Sequence, residues 1–176
     1  MDYFSQESKR LKFRKLTTND ISSWMEFFDD NDRLHFLGMD LSKDKKELAS
    51  EWINAQIKRY EKQEFGHLAV EIKGTNEFIG MGGVIPRLLK EKEEYEVAYS
   101  LKPKYWGKGF GTEIANQIKE FGLKNINTDR FISIIDNRNI QSANVAKKNG
   151  MKVLFETEYL GMEVDVFGVY LDKTQF

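Results

Sequence analysis

The residues most able to do chemistry are the alternating glycines of Tyr105–Glu113 (YWGKGFGTE), where Gly107, Gly109 and Gly111 stand two positions apart. This segment follows an apolar stretch with strand character and opens a helical one. Glycine tolerates positive φ and lets a ligand approach the backbone closely. The N-terminus of a helix adds unpaired N–H groups and the positive end of the helix dipole. The segment therefore predicts a cradle for a phosphate or pyrophosphate.

The spacing of this loop argues against the two best-known nucleotide-binding loops. A P-loop needs lysine followed by serine or threonine, whereas Lys108 is followed by Gly109. The dinucleotide pattern Gly-x-Gly-x-x-Gly needs glycine where Thr112 stands, because Gly111 comes one position too early. A protein that binds ATP or NAD is therefore kept only as an alternative interpretation.

Composition limits the kind of protein. The 176 residues, 40% of them hydrophobic, predict one globular domain, which we assign to residues 1–176. A net charge of −1 predicts neither a nucleic-acid nor a membrane partner, and no apolar run is long enough to cross a bilayer. The absence of cysteine excludes thiolate chemistry, and with a charged N-terminus it favours a cytoplasmic protein. His35 and His67 lack partners at ligand spacing, so no metal site is expected.

Hydrophobic periodicity predicts a mixed α/β (α+β) protein. The predicted strands are Leu11–Leu16, His67–Lys73, Glu77–Ile85, Tyr95–Leu101, Arg130–Ile135, Lys152–Tyr159 and Met162–Leu171. The predicted helices are Ile21–Phe28, Lys43–Lys62, Gly111–Leu123 and Ile140–Asn149. We expect a loop over Pro86–Glu93. The strand–helix–strand order around the glycine loop predicts one parallel pair within a mostly antiparallel sheet.

The glycine loop resembles motif A of the GNAT family of N-acetyltransferases. Gly109 and Gly111 match the two small positions of that motif, and Trp106 replaces the usual arginine or glutamine. The run Tyr105–Gly107, with Glu113 after it, resembles the branch that contains the ribosomal-protein-alanine N-acetyltransferases.

A second segment resembles motif B of the same family. Within Asp136–Met151, the matching positions are Asn139, Ser142, Lys148 and Gly150, with Met151 in place of phenylalanine. The N-terminal LKFRKLTTND is similar to the opening strand and helix start of the family. The resemblance covers essentially the whole chain. It implies the GNAT fold, a mixed and mostly antiparallel sheet with a splayed parallel pair and about four flanking helices.

The resemblance also implies acetyl-CoA as co-substrate. Its pyrophosphate would meet the loop residues Trp106, Gly107, Lys108, Gly109, Phe110, Gly111 and Thr112. Its pantetheine arm would enter the gap of the parallel pair, beside Tyr99, Ser100 and Leu101. Asn139 and Ser142 would contact the far end of the cofactor.

The implied reaction is direct attack of a neutral amine on the thioester in a ternary complex, and either a base or a chain of water molecules must take the proton of the amine. Glu96 is the candidate base. Alternation along Tyr95–Leu101 places Glu94, Glu96 and Ser100 on one face, and a carboxylate on a central strand is costly to bury unless it is paired or faces a wet cleft.

The leaving thiolate benefits from an acid, which many family members supply as a tyrosine in motif B. The matching residue here is Ala146. Ser142 is the candidate replacement, with Tyr99 or water as alternatives. Because the tyrosine is missing, a CoA-binding sensor or interaction module without turnover remains an alternative.

The acceptor amine is left open by the sequence. The branch resemblance indicates a protein N-terminus, and an aminoglycoside, a polyamine or an amino sugar are alternatives. Trp24, Phe27 and Phe28 are interpreted as core rather than as an acceptor pocket. Glu113 is interpreted as a helix-dipole partner or a hydrogen-bonding packing residue. A homodimer is possible, since many relatives dimerise.

Overall fold

Seven strands form one sheet in the computed structural model, which describes residues 2–171. The strands are β1 (Leu11–Arg14), β2 (His67–Ile72), β3 (Phe78–Leu89), β4 (Lys92–Leu101), β5 (Arg130–Asp136), β6 (Lys152–Tyr159) and β7 (Met162–Tyr170). Their order across the sheet is β1-β2-β3-β4-β5-β7-β6. The α-helices are α1 (Asp20–Trp24), α2 (Lys45–Glu61), α3 (Phe110–Asn125) and α4 (Ile140–Lys148). The predicted mixed sheet with four flanking helices is confirmed.

The predicted parallel pair is β4 and β5, and it is short. Its register holds a single position, Glu96 opposite Ile132, whereas the other neighbouring strands pair antiparallel over longer runs. Just beyond it, Ser133 Oγ donates a hydrogen bond of 2.8 Å to the Val97 carbonyl. Within the described residues, β4 has no further register with β5 on the way to Leu101. The two strands therefore splay apart.

The sheet is covered on both faces. One face packs on α3 through the largest core cluster, which includes Leu68, Val84, Val97, Ile114, Ile118 and Phe131. The opposite face packs on α1 and α2 through Leu16, Trp24, Phe27, Ala49, Ile53, Ala69 and Met81. Alternation along each strand produces this division. No helix within residues 2–171 is long and apolar enough to span a membrane.

The loop predicted over Pro86–Glu93 is wrong. Strand β3 continues to Leu89 and β4 starts at Lys92, so the two form a long hairpin. Lys90 and Glu91 make the connecting turn, with φ of 49° and 63°. Two-residue turns of this type usually carry asparagine and glycine, because both positions need positive φ. A Lys-Glu turn lacks that signal.

The first helix is also shorter than the predicted Ile21–Phe28. The α-helix ends at Trp24, and Met25–Phe28 forms a 3-10 turn. A 3-10 turn has three residues per turn and so aligns side chains three apart. The rings of Trp24 and Phe27 accordingly stack at 4.5 Å, and both are buried in the core as interpreted.

Helix α4 begins at the predicted Ile140 and ends at Lys148, one residue before the predicted Asn149, and it has the predicted caps. The Asn139 side chain accepts a hydrogen bond of 3.2 Å from the Ser142 N–H at the start of the helix. At the other end Gly150 has φ of 79°, and its N–H donates to the Lys147 carbonyl. The next N–H, that of Met151, donates to Ala146, which completes a Schellman motif. These caps set the two ends of α4.

We expect Gly122→Ala to destabilise the protein. A Cβ at Gly122 in α3 would lie 2.8 Å from Phe131 Cε1 and closer still to Cζ, and the ring is fully buried. Alanine in an unobstructed helix position is better than glycine by about 0.5–1 kcal/mol. Here overpacking should reverse that sign and lower the free energy of unfolding by about 1–3 kcal/mol, measured by chemical denaturation.

The control is the same substitution in a Phe131→Leu background, where the ring is absent. There Gly122→Ala should be neutral or stabilising relative to Phe131→Leu alone. A stabilising Gly122→Ala in the natural sequence would contradict this close contact of α3 with β5.

Candidate active site

The glycine loop adopts the backbone conformation of an anion cradle. Gly107 and Gly109 have φ of 72° and 77°, and Gly109 is the N-cap of α3. The first hydrogen bond of the helix runs from the Glu113 N–H to the Gly109 carbonyl at 3.2 Å. The N–H groups of residues 110–112 therefore have no partner within the helix. They are the groups that can bind an anion.

An ion pair from the N-terminal segment holds this loop in shape. Glu113 Oε1 accepts hydrogen bonds of 2.7 Å from the Ser8 hydroxyl and the Arg10 N–H, and Oε2 pairs with Arg10 Nε at 2.6 Å. The Arg10 guanidinium also donates to the Lys108 carbonyl at 3.0 Å and lies 4.3 Å from the centre of the Phe110 ring. Glu113 is thus a hydrogen-bonding residue that ties the loop to the chain before β1, in agreement with its interpretation.

A cavity of about 360 Å³, here called the outer cavity, opens at the loop. Its lining includes Leu101, Trp106, Gly107, Gly109, Phe110, Gly111 and Thr112 from the predicted cofactor residues. Arg33 and Lys148 supply positive charge to it. The Arg33 guanidinium lies 3.7 Å above the Trp106 ring, whose Nε1 donates to the Leu101 carbonyl at 2.9 Å.

The sequence missed Arg33 as a site residue. It belongs to the connection between α1 and α2, which carries no periodic pattern, and only the folded chain brings it to Trp106. Conversely, Lys108 was predicted at the cofactor but does not line the outer cavity. Its carbonyl accepts from Arg10, and its ammonium lies 5.5 Å from the centre of the Tyr105 ring.

A second cavity of about 450 Å³, here called the inner cavity, lies where β4 and β5 part. Glu96, Ala98 and Ser100 line it from β4, and Asn139 lines it from the start of α4. Phe36, Leu37, Met39, Tyr159, Leu160 and Met162 also line it, from the α1–α2 connection and the β6–β7 hairpin.

The two cavities share Tyr99, Ser142 and Val145 in their linings, so they adjoin at these residues. Gly111 permits this close arrangement, because a Cβ there would lie 3.2 Å from Tyr99 Cε2. Among residues 2–171, no group forms a well-oriented hydrogen bond with the buried Tyr99 Oη. Burial raises the pKa of the Tyr99 phenol to about 12, while the nearby Ser142 side chain and the charge of Arg33 act in the opposite direction.

Glu96 is buried, and it is ion-paired. Arg87 Nε donates to its Oε2 at 2.7 Å, and the Ile134 N–H donates more weakly to Oε1 at 3.4 Å. Glu96 and Ser100 line the inner cavity, as the predicted alternation requires. Val97 and Leu101 belong to the core cluster beneath α3, although Val97 also contributes to the cavity lining.

The two histidines differ in environment. His35 is exposed, whereas His67 is buried and lines the inner cavity. Burial, with smaller contributions from the charges of Arg87 and Arg59, lowers the pKa of His67 to about 3. Among residues 2–171, no three or more His, Asp or Glu side chains are grouped to hold a metal ion.

An opened parallel pair with a glycine-capped helix at the opening is the arrangement implied by the two sequence motifs. Residues 10–152 match the family described as the acetyltransferase (GNAT) domain, and the chain belongs to that family.

Two Bacillus subtilis proteins are similar in sequence. The uncharacterized protein YkkB is 28% identical over 109 residues, which are 62% of this chain and 63% of the relative. The uncharacterized N-acetyltransferase YnaD is 40% identical over 58 residues, 33% of this chain and 34% of the relative. The sequence alignment therefore covers less than two thirds of the length of these relatives.

Superposition on solved structures shows that the fold is shared over nearly the whole chain. An acetyltransferase from Agrobacterium tumefaciens superposes with a TM-score of 0.77 at 20% identity, covering 97% of this chain and 96% of its own. A ribosomal-protein-S5-alanine acetyltransferase from Vibrio fischeri gives 0.71 at 20% identity, covering 96% and 97%. The ribosomal alpha-N-protein acetyltransferase RimL, solved in complex with coenzyme A, gives 0.74 at 15% identity, covering 94% and 96%.

The Glu113 contacts predict a pH-dependent contribution to stability. Burial alone would raise the pKa of this carboxyl, but the hydrogen bonds from Ser8 and Arg10 and the charge of Arg10 outweigh it and hold the pKa below its usual value. A carboxyl with a lowered pKa in the folded state stabilises above its unfolded pKa of about 4.3, and the contribution disappears as the pH falls through the folded value. Glu113→Gln should therefore lower the melting temperature at pH 7 and flatten its fall between about pH 5 and pH 3.

Glu120→Gln in the same helix is the matched control, since that carboxylate has no ion pair within the described residues. It should leave the difference between pH 7 and pH 3 unchanged. Equal melting curves for Glu113→Gln and the unmodified protein at both pH values would show that the ion pair does not hold the loop.

Proposed function

We propose that the protein transfers an acetyl group from acetyl-CoA to a primary amine by direct attack in a ternary complex. The observation that carries the proposal is the junction of two cavities at Tyr99 and Ser142. The outer cavity has the amides and positive charge that suit a pyrophosphate, and the inner cavity has a carboxylate beside the opened strands. The coenzyme A in the RimL structure supports the same donor.

The donor half of the site is assigned to the loop and the free edge of β4. The N–H groups of residues 107–112 bind the pyrophosphate, and Arg33 and Lys148 offset its charge. The pantetheine arm pairs with β4 at Tyr99, Ser100 and Leu101, where β5 no longer does. A backbone N–H of this edge donates to the thioester oxygen and stabilises the negative charge that develops there.

The acceptor half is assigned to the inner cavity. The amine must lose a proton to attack, and Glu96 takes it, directly or through water. The nitrogen lone pair then forms a C–N bond with the acetyl carbon. The nitrogen releases its second proton to water, and the C–S bond breaks as the tetrahedral species collapses. Arg87, whose Nε lies 2.7 Å from Glu96 Oε2, holds this carboxylate in place at the wall of the inner cavity.

The departing sulfur needs a hydrogen-bond donor, which the motif-B position does not supply because it is Ala146. Ser142 in the first turn of α4 and Tyr99 on β4 are the hydroxyls at the junction of the cavities. The Tyr99 Oη forms no well-oriented hydrogen bond among residues 2–171, and the Ser142 side chain is near it. We assign this role to Ser142, which donates a proton to the sulfur and regains one through water from the amide nitrogen; the Tyr99 phenol beside it is the second donor.

A protein N-terminus is the favoured acceptor. The loop run Tyr105–Gly107 resembles the ribosomal-protein branch, and fold neighbours include ribosomal-protein acetyltransferases. The proposal treats the chain as one catalytic domain of a cytoplasmic enzyme. Transfer to an aminoglycoside, polyamine or amino sugar is the alternative within the same chemistry, and CoA binding without turnover is the alternative outside it.

Replacement of the base gives the first test. In a thiol-release assay with acetyl-CoA and a panel of amines, Glu96→Gln should lower kcat about a hundredfold, because a positioned base contributes at least that much. The KM for acetyl-CoA should change little. The matched control is Glu94→Gln, which removes a buried carboxylate of the same strand that is paired with Arg130 and does not line the inner cavity.

Cofactor binding is measured in parallel by calorimetry. Binding of CoA with no turnover of any amine would favour the sensor module. Tight binding of ATP or NAD, with none of CoA, would overturn the proposal. If Glu94→Gln lowers stability but retains kcat, the lower kcat of Glu96→Gln is an effect on the reaction and not on folding.

Removal of both hydroxyls gives the second test. The double variant Ser142→Ala/Tyr99→Phe should lower kcat about a hundredfold, while CoA affinity changes little because the loop amides are untouched. The single variants divide the effect between the two residues. An unchanged kcat in the double variant would assign the proton to water instead.

A further inference from the structure

The side chain of His67 lines the inner cavity, and its buried Nε2 has no hydrogen-bond partner among residues 2–171. The side chain is 8% exposed and lines the cavity together with Trp52 and Gln56 of α2. Its Nδ1 accepts a hydrogen bond of 3.1 Å from Trp52 Nε1. Indole nitrogen only donates, so Nδ1 carries no proton, and the proton of the neutral ring is on Nε2. Trp52 thereby fixes the tautomer of His67.

The described part of the chain supplies no acceptor for this Nε2–H. The atom is buried and has no partner within residues 2–171. The nearby polar groups are engaged. Gln56 Oε1 accepts the His67 backbone N–H at 2.9 Å, and Glu96 is bonded to Arg87 and the Ile134 N–H. Buried donors are nearly always satisfied, so an occupant of the cavity is expected to complete this one.

His67 cannot serve as the base of the reaction. One ring nitrogen accepts from Trp52 and the other already carries the proton. Burial and two nearby arginine charges keep the ring neutral throughout the physiological pH range. A neutral ring of fixed tautomer does not repel the incoming ammonium, and it offers one directed donor.

We propose that His67 Nε2–H donates a hydrogen bond to an sp² oxygen, a carbonyl or carboxylate, of the acceptor amine, and so determines acceptor specificity. The inference rests on the proposed acetyl transfer. An sp² oxygen only accepts, so it can pair with this donor without bringing a further proton that needs an acceptor of its own. The Arg87 guanidinium, which also lines the inner cavity, contributes only donors as well. Amines without oxygen, such as polyamines, leave the donor unsatisfied.

The kinetic test compares acceptors that differ only in the substituent on the carbon that carries the amine. These are leucinamide, leucine, leucinol and 3-methylbutylamine, which present a carbonyl, a carboxylate, a hydroxyl and no oxygen. The natural protein should prefer leucinamide or leucine over 3-methylbutylamine in kcat/KM. The leucinamide and leucine arms distinguish the carbonyl from the carboxylate. In the double variant His67→Phe/Trp52→Phe, which removes both members of the hydrogen bond, this preference should fall about tenfold.

His67→Gln is the conservative variant, because its amide N–H₂ lies near the position of Nε2 and should restore part of the preference. A preference that is unchanged in His67→Phe/Trp52→Phe would overturn the proposal. So would a natural protein that favours 3-methylbutylamine over leucinamide. Melting curves of each variant confirm that it is folded.

A spectroscopic test does not depend on turnover. The chain has two histidines, so His35→Gln leaves His67 alone in ¹⁵N-edited NMR spectra. The ring should show the Nε2–H tautomer, and its Nε2 resonance should shift on addition of leucinamide but not of 3-methylbutylamine. An Nδ1–H tautomer, or equal shifts with both amines, would overturn the role of His67. Absence of turnover with CoA bound and the Nε2 shift present would instead overturn only the acetyl transfer.

Discussion

The parting of β4 from β5 is the constraint on which the rest of the molecule depends. A central strand pair would normally satisfy its backbone groups along its full length, and here the pairing stops after Glu96 and Ile132. The edge left open must be satisfied by something else, since buried backbone groups are rarely left unpaired. The structure places α3, α4 and both cavities around this edge. The core beneath α3 and the antiparallel strands on either side hold it open without filling it.

The elements of the fold were largely predictable, because apolar alternation and periodicity report which face of each element is buried. Apolar alternation predicts the seven strands, and the order of the elements predicts the parallel pair. Local residue types such as Asn139 and Gly150 predict the caps of α4. The β3–β4 turn could not be predicted in this way. Its positive φ values are borne by Lys90 and Glu91, which are held there by the pairing of the two strands rather than by their own preference.

The candidate site was predictable where one segment supplies several contacts. The glycine loop and the first turn of α4 are both local patterns, and the structure brings them to one place through Tyr99 and Ser142. Arg33 and His67 belong to the same two cavities, but each stands alone in the sequence. Arg33 depends on Trp106, and His67 depends on Trp52. Contacts of this kind depend on tertiary packing, so no regular spacing of residue types in the sequence predicts them.

The segment between α1 and α2 touches both halves of the site. Arg33 lies on Trp106 at the outer cavity, and Phe36, Leu37 and Met39 line the inner one a few residues later. Only a few residues separate Arg33 from Phe36. A ligand that moves Arg33 would therefore also move the lining of the inner cavity. Thermodynamic linkage makes such an effect reciprocal, so that whatever the first ligand contributes to the affinity of the second is returned in equal measure. Because Trp106 replaces the arginine or glutamine usual in the loop, its ring offers a surface on which the Arg33 guanidinium can stack. The Trp106 ring thereby brings Arg33, and with it the start of the segment that lines the inner cavity, to the glycine loop.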